Sequence, residues 1–221
     1  MKIKFFLFTL FLFLLFPFSN LKLQTSREII ISEVIHGVKE GTKENKSCEF
    51  IELYNLSLNE INLKELIGEK IQIITSSGAT TTRSLSYNKT SINKNGHFLI
   101  VSKECASTTN FSQLYSLADA TYSAYLNENG GVRIAKNNGE IIDEVLLGNK
   151  IDFNQSLERN LQTNEFFIQN CPNPTNSEGK TFNFCSQFNN TSSTLSSTSS
   201  EPVLNFSQTL PQPSFFENFQ I

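Results

Sequence analysis

From residue 28 onward, apolar and polar residues alternate in short runs and do not recur at helical spacing. The stretches 28–36, 49–55, 70–75, 81–87, 97–102, 131–135 and 141–147 are rich in Ile, Val, Phe, Tyr and Thr and are bounded by turn residues. That is the pattern of β-strands separated by turns. Within 49–55, Glu49, Ile51 and Leu53 fall on one face and Phe50, Glu52 and Tyr54 on the other, so Ile51 and Leu53 are the core candidates. The segment 37–47 reads as a polar loop, and K-N-N-G (136–139) supplies an Asn-Gly pair suited to the positive φ angles of a hairpin turn. E-I-N-L-K-E-L (60–66) fits either a helical turn or an irregular strand. Many short strands with turns between them predict an all-β fold, a β-sandwich.

The two ends differ from this middle. Lys2 and Lys4 precede a run, Phe5 to Phe18, that is apolar except for Thr9 and Pro17, the layout of a secretory signal peptide over residues 1–26. As a helix the run would reach about 21 Å at about 1.5 Å per residue, short of a hydrocarbon core of about 30 Å. The competing reading is an uncleaved anchor extended by Leu21 and Leu23. At the other end, N-N-T-S-S-T-L-S-S-T-S-S (189–200), then Pro202, Pro211 and Pro213, mark 189–221 as a tail too polar to offset the cost of ordering. Its last residues, S-F-F-E-N-F-Q-I, are aromatic but too few to span a membrane. One domain, 27–188, remains between them.

Composition narrows the chemistry. A formal net charge of −3 gives no basic field to condense a polyphosphate, so nucleic acid is not expected as a partner. The cysteines are Cys48, Cys105, Cys171 and Cys185, an even number in a chain with an export signal, and they permit three pairings. Cys48 with Cys105 is favoured because both end expected strands, and Cys171 with Cys185 because they bracket a turn-rich segment. No C-x-x-C occurs, so zinc is not expected. The histidines are His36 and His97, and H-E-x-x-H, G-x-S-x-G, P-loop and G-x-G-x-x-G patterns are absent from the sequence. Glu33, Glu49, Glu52, Asp143 and Glu144 lie on expected strands. They suit a cation site or an acid and base pair, but alternating strands ordinarily turn such residues to solvent, and that is the expectation here. No catalytic, metal or cofactor-binding residue is assigned.

Several motifs in order carry a resemblance. They are I-I-I-S-E-V-I-H (29–36), C-E-F-I-E-L-Y-N (48–55), S-I-N-K-N-G-H-F-L-I-V (91–101) and L-N-E-N-G-G-V-R-I-A-K-N-N-G-E-I-I-D-E-V (126–145), then S-L-E-R-N (156–160) and F-F-I-Q-N-C-P-N-P-T (166–175). Together they resemble the lamin tail domain in its bacterial, secreted form, over roughly residues 28–180. Leu66 and Phe167 stand where that family usually has Trp. The resemblance implies an immunoglobulin-like β-sandwich without catalysis, serving attachment or binding at the cell envelope or surface, to a protein or glycan component. It also implies Glu52 with Arg159 as a structural ion pair. Lamin filament assembly is not implied, because no sustained heptad pattern is present. Two alternatives stand beside this reading: a small secreted hydrolase, or its accessory, using a carboxylate pair, and a spacer displaying the C-terminal tail. Segments 37–47 and 110–120 are expected to be exposed loops that carry binding.

Overall fold

The computed structural model describes residues 27–123, 126–148 and 151–189. The expected export signal, and the expected tail beyond residue 189, lie outside the described residues. Among the described residues, no helix is long and apolar enough to cross a membrane.

The described chain is mostly β. A seven-stranded sheet contains β1 (Ile29–Ile35), β4 (Phe50–Asn55), β8 (Ser86–Tyr87), β10 (His97–Ser102), β11 (Ala120–Tyr122), β14 (Ser156–Arg159) and β15 (Phe166–Gln169), in the order β15-β14-β1-β4-β10-β11-β8. A four-stranded sheet contains β6 (Lys70–Ile74), β7 (Thr80–Ser84), β12 (Gly131–Ala135) and β13 (Ile141–Leu146), in the order β13-β12-β6-β7. Two small ribbons pair β2 (Val38–Glu40) with β3 (Lys43–Asn45), and β5 (Ile61–Asn62) with β9 (Ser91–Ile92). All pairings are antiparallel except that of β10 with β11. A parallel neighbour needs a crossover, and the chain makes it through a 3-10 helix, Lys103–Ser107, and a one-turn helix, Ser112–Ser116.

The alternation along the central strands is real, but both faces are covered. Ile29, Ile31, Val34, Ile51, Leu53, Phe98 and Ile100 join Ile71, Ile73, Val132, Ile134 and Val145 of the other sheet in one apolar cluster. On the opposite face Ile35, Phe50, Leu99 and Val101 meet Phe111, Leu114, Phe182 and Phe184 in a second. Phe50 is therefore as deeply buried as Ile51, contrary to the one-faced expectation. The covering comes from the 110–120 segment, which is not an exposed loop: Phe111 and Leu114 are buried in it. Segment 37–47 is likewise a hairpin whose Val38 is buried, exposed only toward its tip.

A register shift between Ile31 and Glu33 leaves Ser32 as an extra residue in β1. Because side chains alternate with period two, this bulge keeps Ile31 and Val34 on one face and turns Glu33 and Ile35 to the other. Segment 60–66 resolves into the short bridge β5 followed by a helical turn, Leu63–Ile67, whose first turn is capped by the Asn62 side chain accepting from the Glu65 N–H.

Cys48 is bonded to Cys105 and Cys171 to Cys185. The first ties the start of β4 to the crossover after β10; the second closes a strap, 171–185, over the second face. The bridged residues are 57 and 14 apart in sequence. Replacing Cys48 and Cys105 together by Ala should lower the unfolding free energy by about 4 kcal/mol, and replacing Cys171 and Cys185 by about 3 kcal/mol. Urea denaturation at fixed pH measures both, and a clearly larger loss from the shorter loop would contradict the loop-entropy account.

Candidate functional site

The bulge in β1 creates the most unusual chemical feature of the molecule. On the face away from the four-stranded sheet, Glu158 of β14 stands opposite Glu33 of β1, and Glu33 stands opposite Glu52 of β4. Three carboxyl groups thus form a row across adjacent strands, beneath the strap. The Thr175 N–H donates to Glu52 Oε2 at 2.7 Å, the Ser32 hydroxyl donates to Glu52 Oε1 at 2.5 Å, and the Ser156 hydroxyl donates to Glu33 Oε1. Burial pushes the Glu33 carboxyl up to about 8, with the neighbouring Glu52 and Glu158 adding to the rise, against hydrogen bonds from Ser156 and the Asn173 backbone. Burial also raises Glu158, which Gln169 partly offsets.

His97 lies on β10, an interior strand of the seven-stranded sheet. Its Nδ1 is 3.0 Å from Glu52 Oε1, yet off the line needed for a hydrogen bond, so that nitrogen is left without one. Tyr54 meets its ring edge-on, with centroids 5.0 Å apart.

The remaining acids separate from this row. Glu49 is fully buried and accepts from the Tyr122 hydroxyl at 2.6 Å and the Leu126 N–H at 2.5 Å. Burial raises both its carboxyl and the Tyr122 phenol. Asp119 accepts from the Leu99 N–H at 2.9 Å and from the Ser177 N–H and hydroxyl at 2.7 and 2.5 Å, joining β10 to the strap. Asp143 accepts from Arg159 at 2.7 Å, from Arg27 at 2.8 Å and from the Ile31 N–H at 2.8 Å. Only Glu144 keeps the surface role expected of all five strand acids, paired with Arg133 at 2.6 Å.

Two expectations are thereby corrected. Glu33, Glu49, Glu52 and Asp143 are buried, because the strap, the crossover and the second sheet cover faces that alternation alone would leave wet. Arg159 pairs with Asp143 and not with Glu52, since consecutive residues of β14 point to opposite faces: Glu158 lies in the acid row and Arg159 on the side of the four-stranded sheet. Asp119, Tyr122 and Ser156 were not singled out from the sequence, where nothing distinguishes them from other polar residues near strand ends.

None of these acids lines either of two open surface cavities. One, about 440 Å³, is polar and is lined by Asn88, Lys89, Asn93, Ser177 and Glu178, among others. Lys89 and Lys180 each lie 2.9 Å from Glu178 and hold its carboxyl down to about 2. The other, about 260 Å³, is lined by His36, Lys46, Leu126, Asn127 and Glu128. Among the described residues, no group of three or more His, Cys, Asp or Glu side chains is placed to hold a metal ion. No protein-family model and no curated protein sequence matches the chain.

The buried row fixes a pH dependence. Glu33 has a native-state value of about 8 against an ordinary 4.5, so the unfolded chain releases this proton first as pH rises. The associated stability is complete below about 4.5 and is lost progressively as pH climbs through about 8. Glu49 and Asp119, both raised by burial, act with the same sign. Thermal unfolding followed from about pH 5 to about pH 9 should show falling stability, and Glu33→Gln should flatten a large part of the slope. An unchanged slope in that variant would show that Glu33 does not titrate as described.

Proposed function

We propose that this chain is an exported, non-catalytic binding or attachment module of the lamin-tail type, an immunoglobulin-like β-sandwich acting at the cell envelope or surface. Support for the sandwich comes from the apolar cluster shared by the two sheets. Support for export comes from the leader pattern together with two disulfides, which suit an oxidising compartment.

The observation that carries the binding reading is the placement of the carboxyl groups. Glu33, Glu49, Glu52, Asp119 and Asp143 each accept hydrogen bonds from the fold itself, and none lines the two cavities described above. A general acid and base must reach substrate. Acids that hold a strap, a crossover and a second sheet in place are positioning the architecture. This weighs against the carboxylate-pair hydrolase. The spacer reading lacks a reason for polar surface cavities, although it shares the stapled β scaffold.

Binding then falls to exposed loop and hairpin surface, the part of a rigid scaffold that ordinarily carries recognition. The β2–β3 tip around Gly41 and Lys43 is such a surface. Full-length protein should be retained by an envelope preparation from the source cells without releasing soluble sugar or peptide from it. Reversing charge at the tip with Lys43→Glu should weaken retention about tenfold while leaving the unfolding midpoint unchanged. Hydrolysis of an envelope polymer that disappears in Glu33→Gln or Glu52→Gln would overturn the proposal.

A further inference from the structure

The cavity beside His36 contains an unmet hydrogen-bonding demand. His36 follows β1 and is 3 % exposed. Its Nε2 lies 2.9 Å from the Ile151 carbonyl oxygen, which can only accept, so Nε2 carries the proton. In the neutral ring Nδ1 is then a bare acceptor, and it is buried with no partner. The ring cannot turn to relieve this without breaking the Ile151 bond, and Phe153 packs against it with centroids 5.5 Å apart. A buried acceptor left unmade is a cost that native structures ordinarily avoid.

The rest of the wall says what would meet the demand. Lys46 Nζ and Glu128 Oε1 are 2.7 Å apart, so a donor and an acceptor stand side by side with no net charge between them. A hydroxyl group, which both donates and accepts, fits such a pair; among the described residues of the wall, a phosphate or an isolated ammonium finds no field of one sign. Leu126 adds an apolar surface. The volume, about 260 Å³, falls just below the range of about 300–1,000 Å³ usual for sites that take drug-sized ligands. The cavity therefore suits a small, neutral molecule rich in hydroxyls.

We propose that this cavity binds a single neutral sugar residue, one hydroxyl donating to His36 Nδ1 and another bridging Glu128 and Lys46. The site gives the binding module a chemical class of ligand, a saccharide, and so rests on the reading of the chain as a binding protein. It is separate from the β2–β3 tip, whose contribution to retention does not depend on it.

The test uses the full chain labelled with nitrogen-15, with glucose, galactose and N-acetylglucosamine as free probes and inorganic phosphate as the charged comparison. Saturable binding of at least one sugar should move the His36 Nδ1 resonance from that of a bare ring nitrogen toward that of a hydrogen-bonded one, while phosphate leaves it in place. His36→Phe should weaken the sugar about tenfold. Because that variant also loses the Ile151 bond, Glu128→Gln on the surface provides a second arm, weakening the sugar severalfold without moving the unfolding midpoint. An Nδ1 resonance already hydrogen-bonded in the free protein would mean that water fills the site, and would overturn the proposal. So would failure of every sugar to shift it. Either result leaves envelope retention of the native protein as a separate observation, so loss of the sugar site and loss of the binding reading are told apart.

Discussion

Strand β1 is interrupted at Ile31, and the fold depends on how that interruption is closed. A bulge leaves backbone groups without ladder partners, and buried groups of this kind cost about 1–3 kcal/mol each when unmade. Here the Ile31 N–H donates to Asp143 and the Ile31 carbonyl accepts from Arg159 Nε at 3.0 Å. Arg159 and Asp143 also pair with one another, with side chains 3 % and 0 % exposed. Asp143 belongs to the four-stranded sheet and Arg159 to the seven-stranded one, so a single buried ion pair completes the bulge and joins the sheets. Burial lowers the Arg159 value and the Asp143 charge raises it. Such a pair is a poor source of net stability compared with apolar packing, but loss of one partner leaves the other stranded, at about 3–5 kcal/mol. Phe166 completes the setting, its ring centroid 4.3 Å from the Arg159 guanidinium.

The same bulge decides where the acid row lies. In an unbulged ladder Ser32 would oppose Glu52 and Glu33 would face the apolar cluster between the sheets; with the bulge, Glu33 joins Glu52 and Glu158 beneath the strap. The strap reaches this face through the backbone of Asn173 and Thr175 and, at its far side, through Ser177 to Asp119. Its own disulfide and the apolar contacts of Phe182 and Phe184 hold it down. The strap thus closes the polar part of the second face and shares the apolar part with Phe111 and Leu114 of the 110–120 segment. That is why carboxyl groups suggestive of chemistry are occupied with architecture.

Much of the strand content is legible in the sequence, because period-two runs around 28–36, 49–55, 97–102 and 131–135 coincide with β1, β4, β10 and β12. The even cysteine count likewise announced disulfides. Legibility ends where a distant segment decides the outcome. The run 81–87 reads as one strand, yet β7 and β8 part at Leu85 and enter different sheets, which no local propensity reveals. Segment 37–47 looks like a loop because its residues are polar, while β2 and β3 pair through their backbones. Burial of Glu33 and Glu52 depends on residues 173–175, more than a hundred positions away, and a Glu on a solvent face has the same local pattern. The partner of Arg159 turned on which side of β14 it occupies, and motif resemblance placed it on the wrong one.

Amide hydrogen exchange at Ile31 tests the central claim most directly. If Asp143 and Arg159 close the bulge, the Ile31 N–H should exchange as slowly as the amides of β4 around Leu53, opening only when the whole domain unfolds. In Asp143→Ala it should lose that protection and exchange much faster than the β4 amides of the same variant. An Ile31 amide that exchanges in the native chain orders of magnitude faster than its β4 neighbours would contradict the account, because the bulge would then be open and the Arg159–Asp143 pair would not close it.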